Sequence, residues 1–361
     1  MFVPKQIIVI NVFVQPDIVL TFNLFEWDLL VRQAHRAGVL ARLAFLLKAE
    51  GLYEKIPEKP LNHFNSAIIY IEQFTYTVQW ELTLIYNALK NHNVPLILLK
   101  GAAYVQANND AGKGRVFSDI DILVKKGQLK VAEKALSKQG WLFENIDKYD
   151  QEYYRKWMHE LPPMRHFKRG TNLDVHHNIL PLTSRNCPSA DKLLANLVQV
   201  KSDGIWVLAA EDRILHSAIH LFYGGEFEHG FRDISDLDLL FREFSRHKGF
   251  WYKLLDRAVD IEQSEALYYA IRYSKLIFNT PISEEALDKV STSLSGVRRY
   301  VMDFLFIRAL MPDHESCDDQ WTGFSRWVLY VRSHWLRMPM YLLVPHLLRK
   351  SWVRLTGKTE H

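Results

Sequence analysis

Ser118-Asp119-Ile120-Asp121-Ile122-Leu123-Val124 is the stretch that decides how this chain is read. Its alternation predicts a β-strand, in which residues two apart point to one face. Asp119 and Asp121 therefore project together, while Ile120, Ile122 and Val124 serve the other side or the core. Two carboxylates held side by side repel unless a cation lies between them. Their hard oxygens suit Mg²⁺, which keeps waters and completes its shell with substrate phosphates. A DxD pair alone is a weak signal, and the chain carries another in Asp236-Leu237-Asp238. That copy lies in a helical pattern, where alternate residues do not share a face, and is read as structural.

Upstream, Val94 to Leu99 is a continuous apolar run ending in Lys100-Gly101, the pattern of a buried strand entering a tight turn. Gly101 lets backbone approach a ligand, and a following helix offers free N–H groups, so Lys100-Gly101-Ala102 reads as a phosphate cradle. Lys100 adds a point charge, and Arg115 is placed to do the same. Downstream, Pro163 to Leu180 reads as a hairpin, with Arg169-Gly170-Thr171 as its turn. If Leu173 to His177 pairs beside the DxD strand, Asp174 becomes a third carboxylate. Three carboxylates and two Mg²⁺ ions are the parts of a two-metal displacement, with Asp174 activating the acceptor hydroxyl. Alternation puts His176 on the Asp174 face and His177 opposite, with His176 more often a packing residue in such a place. Arg165, Lys168 and Arg169 read as a solvated hairpin edge.

This ordered set resembles the polymerase-beta nucleotidyltransferase superfamily, and most of all a bacterial group catalogued as uncharacterised nucleotidyltransferases. The resemblance is carried by Leu98 to Ala102, Ser118 to Val124 and Leu173 to His177. It continues in Glu211 to His220 and in Arg232 with Asp236-Leu237, spanning residues 25 to 350. It implies that Asp119, Asp121 and Asp174 bind metal, two Mg²⁺ ions being expected. It implies that Lys100, Gly101, Ala102, Ser118 and Arg115 meet the nucleotide, with His176, His220, Arg232 and Asp236 as supporting residues. The implied reaction takes an NTP and an unidentified acceptor to a nucleotidylated product and pyrophosphate. The superfamily commonly follows the turn Gly with Ser or Gly, whereas Ala102 offers no hydroxyl here. Relatives in the group sit near capsule, exopolysaccharide and peptide-biosynthesis genes. Two other readings are a protein-nucleotidylating (AMPylating) enzyme of toxin–antitoxin type and a non-catalytic scaffold in surface-polysaccharide assembly.

The fold expected is α/β (α+β): a small mixed sheet of nucleotidyltransferase type flanked by helical regions. The divisions are an N-terminal helical region at 1–92, a core at 93–182 and a C-terminal helical region at 183–361. Helical periodicity covers residues 25–47 and 64–91, then 128–139, and most of the chain from 209 to 310. Ile7 to Val14, behind Lys5, reads as a first strand or an upstream extension.

The balance of 48% hydrophobic and 24% charged residues is that of a globular chain. A net charge of +4 falls short of a dedicated nucleic-acid binder, and no such partner is expected. Cys187 and Cys317 fit neither a zinc site nor a disulfide framework. His216 and His220 are four apart but lack the glutamate of a zinc helix. No stretch reaches the roughly 18 apolar residues of a membrane span, which leads to the expectation of a cytoplasmic protein. Residues 325–354 hold Arg326, Arg332, Arg337, Arg349, Lys350 and Arg354 without one acid. Trp327, Tyr330, Trp335, Tyr341 and Trp352 are interleaved, and Pro339 and Pro345 divide the stretch. Such a segment suits peripheral membrane or protein contact; the plainer expectation is a pair of terminal helices with arginines outward.

Overall fold

The computed structural model describes residues 7–143, 148–201, 204–291, 296–339 and 341. Lys5, Pro345, Arg349, Lys350, Trp352 and Arg354, named above, lie outside them.

Seven strands make one mixed sheet: β1 (Leu96–Leu98), β2 (Asp119–Leu123), β3 (Trp141–Phe143), β4 (Met164–His166), β5 (Asn172–His176), β6 (Leu197–Lys201) and β7 (Ile205–Leu208). Their order is β3-β4-β5-β2-β1-β7-β6. β1 is wholly buried, as its unbroken apolar sequence requires. It runs antiparallel to β2 and parallel to β7, while β2 and β5 run parallel. The expected α/β (α+β) class with a small mixed sheet is what forms. β6 and β7 lie past residue 182, in a region read from sequence as helical; they extend the sheet on the β1 side.

The opening is helical: α1 (Ile8–Val14), α2 (Leu24–Arg36), α3 (Leu40–Ala49) and α4 (Glu58–Lys90). α1 replaces the expected strand, because a short apolar run fixes no period. Val9, Ile10 and Val12 are buried, and the Gln33 side chain accepts the free Val9 N–H at 3.2 Å. The single helix expected over 25–47 breaks after Arg36, where Gly38 takes φ +66. Asn23 caps α2 in a reciprocal box with Glu26. α4 brings the buried Glu81 to the β4–β5 turn, where it accepts bonds from Arg169 and from Thr171 Oγ1. Arg169 also lies over the Trp141 ring at 4.9 Å. Arg165, Lys168 and Arg169 are exposed on the hairpin, as read, but Arg169 is also bound to the body.

Four short helices punctuate the sheet: α5 (Lys100–Gln106), α6 (Leu129–Lys138), α7 (Lys148–Trp157) and α8 (Ala190–Leu194). After β7 come α9 (Ala210–Gly224), α10 (Gly230–Phe244), α11 (Phe250–Asp260), α12 (Ser264–Phe278), α13 (Glu284–Ser291), α14 (Gly296–Ala309) and α15 (Thr322–Arg337). One continuous core runs from α1 to α15. Among the described residues, no helix is long and apolar enough to cross a membrane.

α15 reverses the expected polarity. Arg326 reaches Asp313 at 2.7 Å, Arg332 donates to the Phe222 carbonyl at 2.8 Å, and Arg337 to the Tyr223 carbonyl at 3.1 Å. The arginines face the body, while Phe324, Trp327, Tyr330 and Trp335 face solvent. Helix-end carbonyls and buried acids provide what guanidinium groups need, so the charges turn inward.

A buried ion cluster ties α10 to α3 and to the loop before β2. Asp236 accepts from Arg42 at 2.6 Å and from Arg115 at 2.7 Å. Arg115 also meets Asp233 at 3.2 Å, which Arg232 meets at 3.0 Å. Asp238 pairs with Arg242 and Thr280, so Asp236-Leu237-Asp238 is structural, as read. Among the described residues, Asp236, 1% exposed, is the carboxylate bonded to both Arg42 and Arg115. Removing one member of such a cluster strands the rest. Asp236→Asn is expected to cost about 3–5 kcal/mol in urea unfolding; a loss within ~0.5 kcal/mol would show that the cluster does not hold α10.

Candidate active site

The site begins where β1 ends. The Leu99 N–H still bonds to the Asp121 carbonyl at 3.0 Å, extending the β1–β2 ladder. The chain then turns at Lys100, which adopts φ 45, a left-handed conformation uncommon for a side-chain-bearing residue. The turn brings the Lys100 ammonium 3.1 Å from Asp121 Oδ1. Next comes Gly101, where a Cβ would stand 2.5 Å from Phe117 Cδ1. Phe117 is itself held edge-on by Phe74, with ring centroids 4.9 Å apart, so only glycine fits. Ala102 is buried directly behind.

The strand register does the rest. Asp119 stands opposite Asn172, Asp121 opposite Asp174, and Leu123 opposite His176. Ligand atoms of Asp121, Asp174 and His176 all lie within 4.8 Å of one another. His176 Nε2 is 2.7 Å from Asp121 Oδ1, and with that carboxylate ionised the ring N–H donates. Asp119 stands two register pairs away at the more open end and does not join that group. Its carboxylate accepts from Ser118 Oγ at 3.1 Å.

Electrostatics follow from this crowding. Burial alone would raise the Asp121 carboxyl, but Lys100 and the bond from His176 hold it well below the usual carboxylate range. Asp174 goes the other way: burial, then the Asp121 charge, push its pKa up to about 7. Burial opposes charge on Lys100 and His176, yet Asp121 and the other nearby carboxylates outweigh it and raise both.

The surrounding residues divide. His220, on α9, is solvent-exposed beside the site, and the Lys100 charge lowers its ring below the usual value. His216 is buried and held well below its usual value, chiefly by burial. Arg232 and Asp236 belong to the α10 ion cluster. Arg115 uses Nε on Asp236, Nη2 on Asp233 and Nη1 on the Val116 carbonyl. The expected phosphate contact of Arg115 is therefore replaced by structural partners.

Sequence reading passed over Glu160 and His159. The His177 N–H bonds to the His159 carbonyl at 2.7 Å and the Leu161 N–H to the Val175 carbonyl at 2.8 Å. These bonds pin residues 159–161 along the part of β5 that β4 leaves unpaired, and Glu160 Oε2 comes 3.1 Å from His176 Nδ1. Burial, then neighbouring cations that include Arg337 at the end of α15, hold the His159 ring well below its usual value. His159-Glu160 sits in no periodic pattern, so no sequence signal marked it.

An acid whose folded pKa is raised favours folding below its unfolded value and loses that contribution as pH climbs to the folded one. Chelator-treated protein should thus lose stability between about pH 4 and 7, by up to ~1.4 kcal/mol per pH unit from Asp174. Asp174→Asn should remove that slope and melt higher than the parent at pH 8. Parallel melting curves of the two proteins across this range would contradict the raised pKa.

Residues 23–279 match the model of a family described as uncharacterised nucleotidyltransferase. No curated protein and no solved structure matches the chain at a significant level.

Proposed function

The chain belongs to the uncharacterised nucleotidyltransferase family, and from that premise we propose that it moves a nucleoside monophosphate from an NTP to an acceptor hydroxyl or phosphate, releasing pyrophosphate. The observation that carries the reading is the pairing of Asp121 with Asp174 in register, with Lys100 beside them. The donor set fits a divalent cation, because a carboxyl held near 7 by burial and by its neighbour's charge is relieved by positive charge between the two. Asp121 and Asp174 would hold it, with Asp119 joining from the same face. When bound, such ions (two Mg²⁺ in this reading) lend Lewis acidity to the triphosphate and acidify the acceptor hydroxyl.

The protein's own groups take the other roles. Lys100 steadies triphosphate oxygens while it offsets Asp121. Gly101, Ala102 and Ser118 flank the phosphates with backbone and small side chains. The acceptor oxygen bonds to the α-phosphorus, the bond to the bridging oxygen breaks, and pyrophosphate leaves. Asp174, on the acceptor side, takes the acceptor proton. An NTP substrate places this reaction in the cytoplasm. Any contact with a membrane surface or partner protein is assigned to the outward aromatic face of α15.

Purified chain with Mg²⁺ and each α-labelled NTP, added to lysate, tests the reading. Label should enter a product, with Asp121→Asn and Asp174→Asn reducing the rate on the order of 100-fold or more. Label in protein would favour the AMPylating alternative over a small-molecule acceptor. Absence of label transfer, together with no Mg²⁺-dependent NTP binding by calorimetry, would leave the scaffold reading.

A further inference from the structure

Beside the carboxylate pair lies another donor set, of which the reading above uses only His176, as the partner of Asp121. One ligand atom each of His159, Glu160 and His176 lies within 4.8 Å of the others. We propose that these three residues form a separate transition-metal site, binding one divalent ion of the Zn²⁺ or Co²⁺ class with water completing its shell.

Three observations converge on it. First, His176 Nδ1 stands 3.1 Å from Glu160 Oε2 but without the geometry of a hydrogen bond. Donors sharing one metal at about 2.1 Å stand roughly 3 to 3.5 Å apart, so this pair already has the spacing of a coordination edge. Second, His159 closes the triangle: its Nε2 is 3.9 Å from the same Glu160 oxygen. Buried polar atoms left unpaired cost stability, and His176 Nδ1 is one here. Third, the other nitrogen of His176 bonds to Asp121 at 2.7 Å. A histidine that ligates metal through one nitrogen ordinarily gives its second N–H to a carboxylate, which fixes tautomer and ring orientation.

Two imidazoles and one carboxylate select a transition metal over Mg²⁺, which prefers an all-oxygen shell. The supporting backbone is rigid, since Glu160 bridges to His176 and residues 159–161 are bonded along β5. His176 then serves both centres. A metal on Nδ1 keeps the proton on Nε2, aimed at Asp121, and so positions the carboxylate that the first site uses. The site stands whether or not the chain transfers nucleotides.

The full chain, stripped with chelator and titrated with Co²⁺, tests this by visible absorption. With excess Mg²⁺ present to occupy the carboxylate pair, one equivalent of Co²⁺ should bind, with d–d bands in the visible. Glu160→Gln should weaken binding at least about tenfold, whereas Asp174→Asn should bind as the parent does. His159→Cys should add a thiolate-to-cobalt charge-transfer band in the near ultraviolet, a signature that needs direct ligation. No Co²⁺ uptake by the parent would overturn the site. So would binding lost in Asp174→Asn but kept in Glu160→Gln, or a folded His159→Cys protein lacking the new band.

Discussion

Asp121 and Asp174 face each other across neighbouring parallel strands, and their mutual repulsion is the constraint the rest of the site answers to. In low-dielectric surroundings two adjacent negative charges are not tolerated unaided. The fold brings a lysine from a left-handed turn against one carboxylate and a histidine two residues further along β5 against the same oxygen. Asp121 is left doubly satisfied and firmly ionised, while Asp174 is left near neutrality. Two acids of one residue type thus acquire different chemistries from their surroundings alone, as a site for proton transfer and charge stabilisation requires.

The helical frame reaches that site through a traceable series of contacts. Asp236 on α10 holds Arg115, and Arg115 holds the loop that carries Phe117. Phe117 presses on Gly101 and is itself braced by Phe74 of α4. Gly101 follows the strained Lys100, whose ammonium sits on Asp121. The same frame meets the loop a second time, where Arg42 of α3 donates to the Ala111 carbonyl at 2.7 Å. Helices that contribute no reactive group therefore determine where the reactive ones stand.

Much of this was legible from sequence, and the rest was not for identifiable reasons. The acid–apolar alternation of Asp119 to Leu123 carries its own period, and so does Leu173 to His177; each states which side chains share a face. The apolar run before Lys100-Gly101 declared a buried strand. What alternation cannot state is the distance between strands, so the separation of Asp119 from the Asp121–Asp174–His176 group emerged only in three dimensions. Arg115 and the α15 arginines were misjudged for a common reason. A cation's partner lies on a distant element, and the sequence shows the charge without the acid or carbonyl that claims it. β6 and β7 were overlooked although Leu197 to Leu208 alternates, because the helical signal on its C-terminal side dominated. Glu160 was invisible because its position depends on backbone bonds to β5 and on no local pattern.

The reversed polarity of α15 has an optical consequence. Trp327 and Trp335 stand 61% and 52% exposed on a helix whose arginines are turned inward. An indole in water emits at longer wavelength and meets dissolved quenchers freely, and covering it changes both properties. This face therefore carries built-in fluorophores, whose emission responds to whatever settles on it without any label being attached.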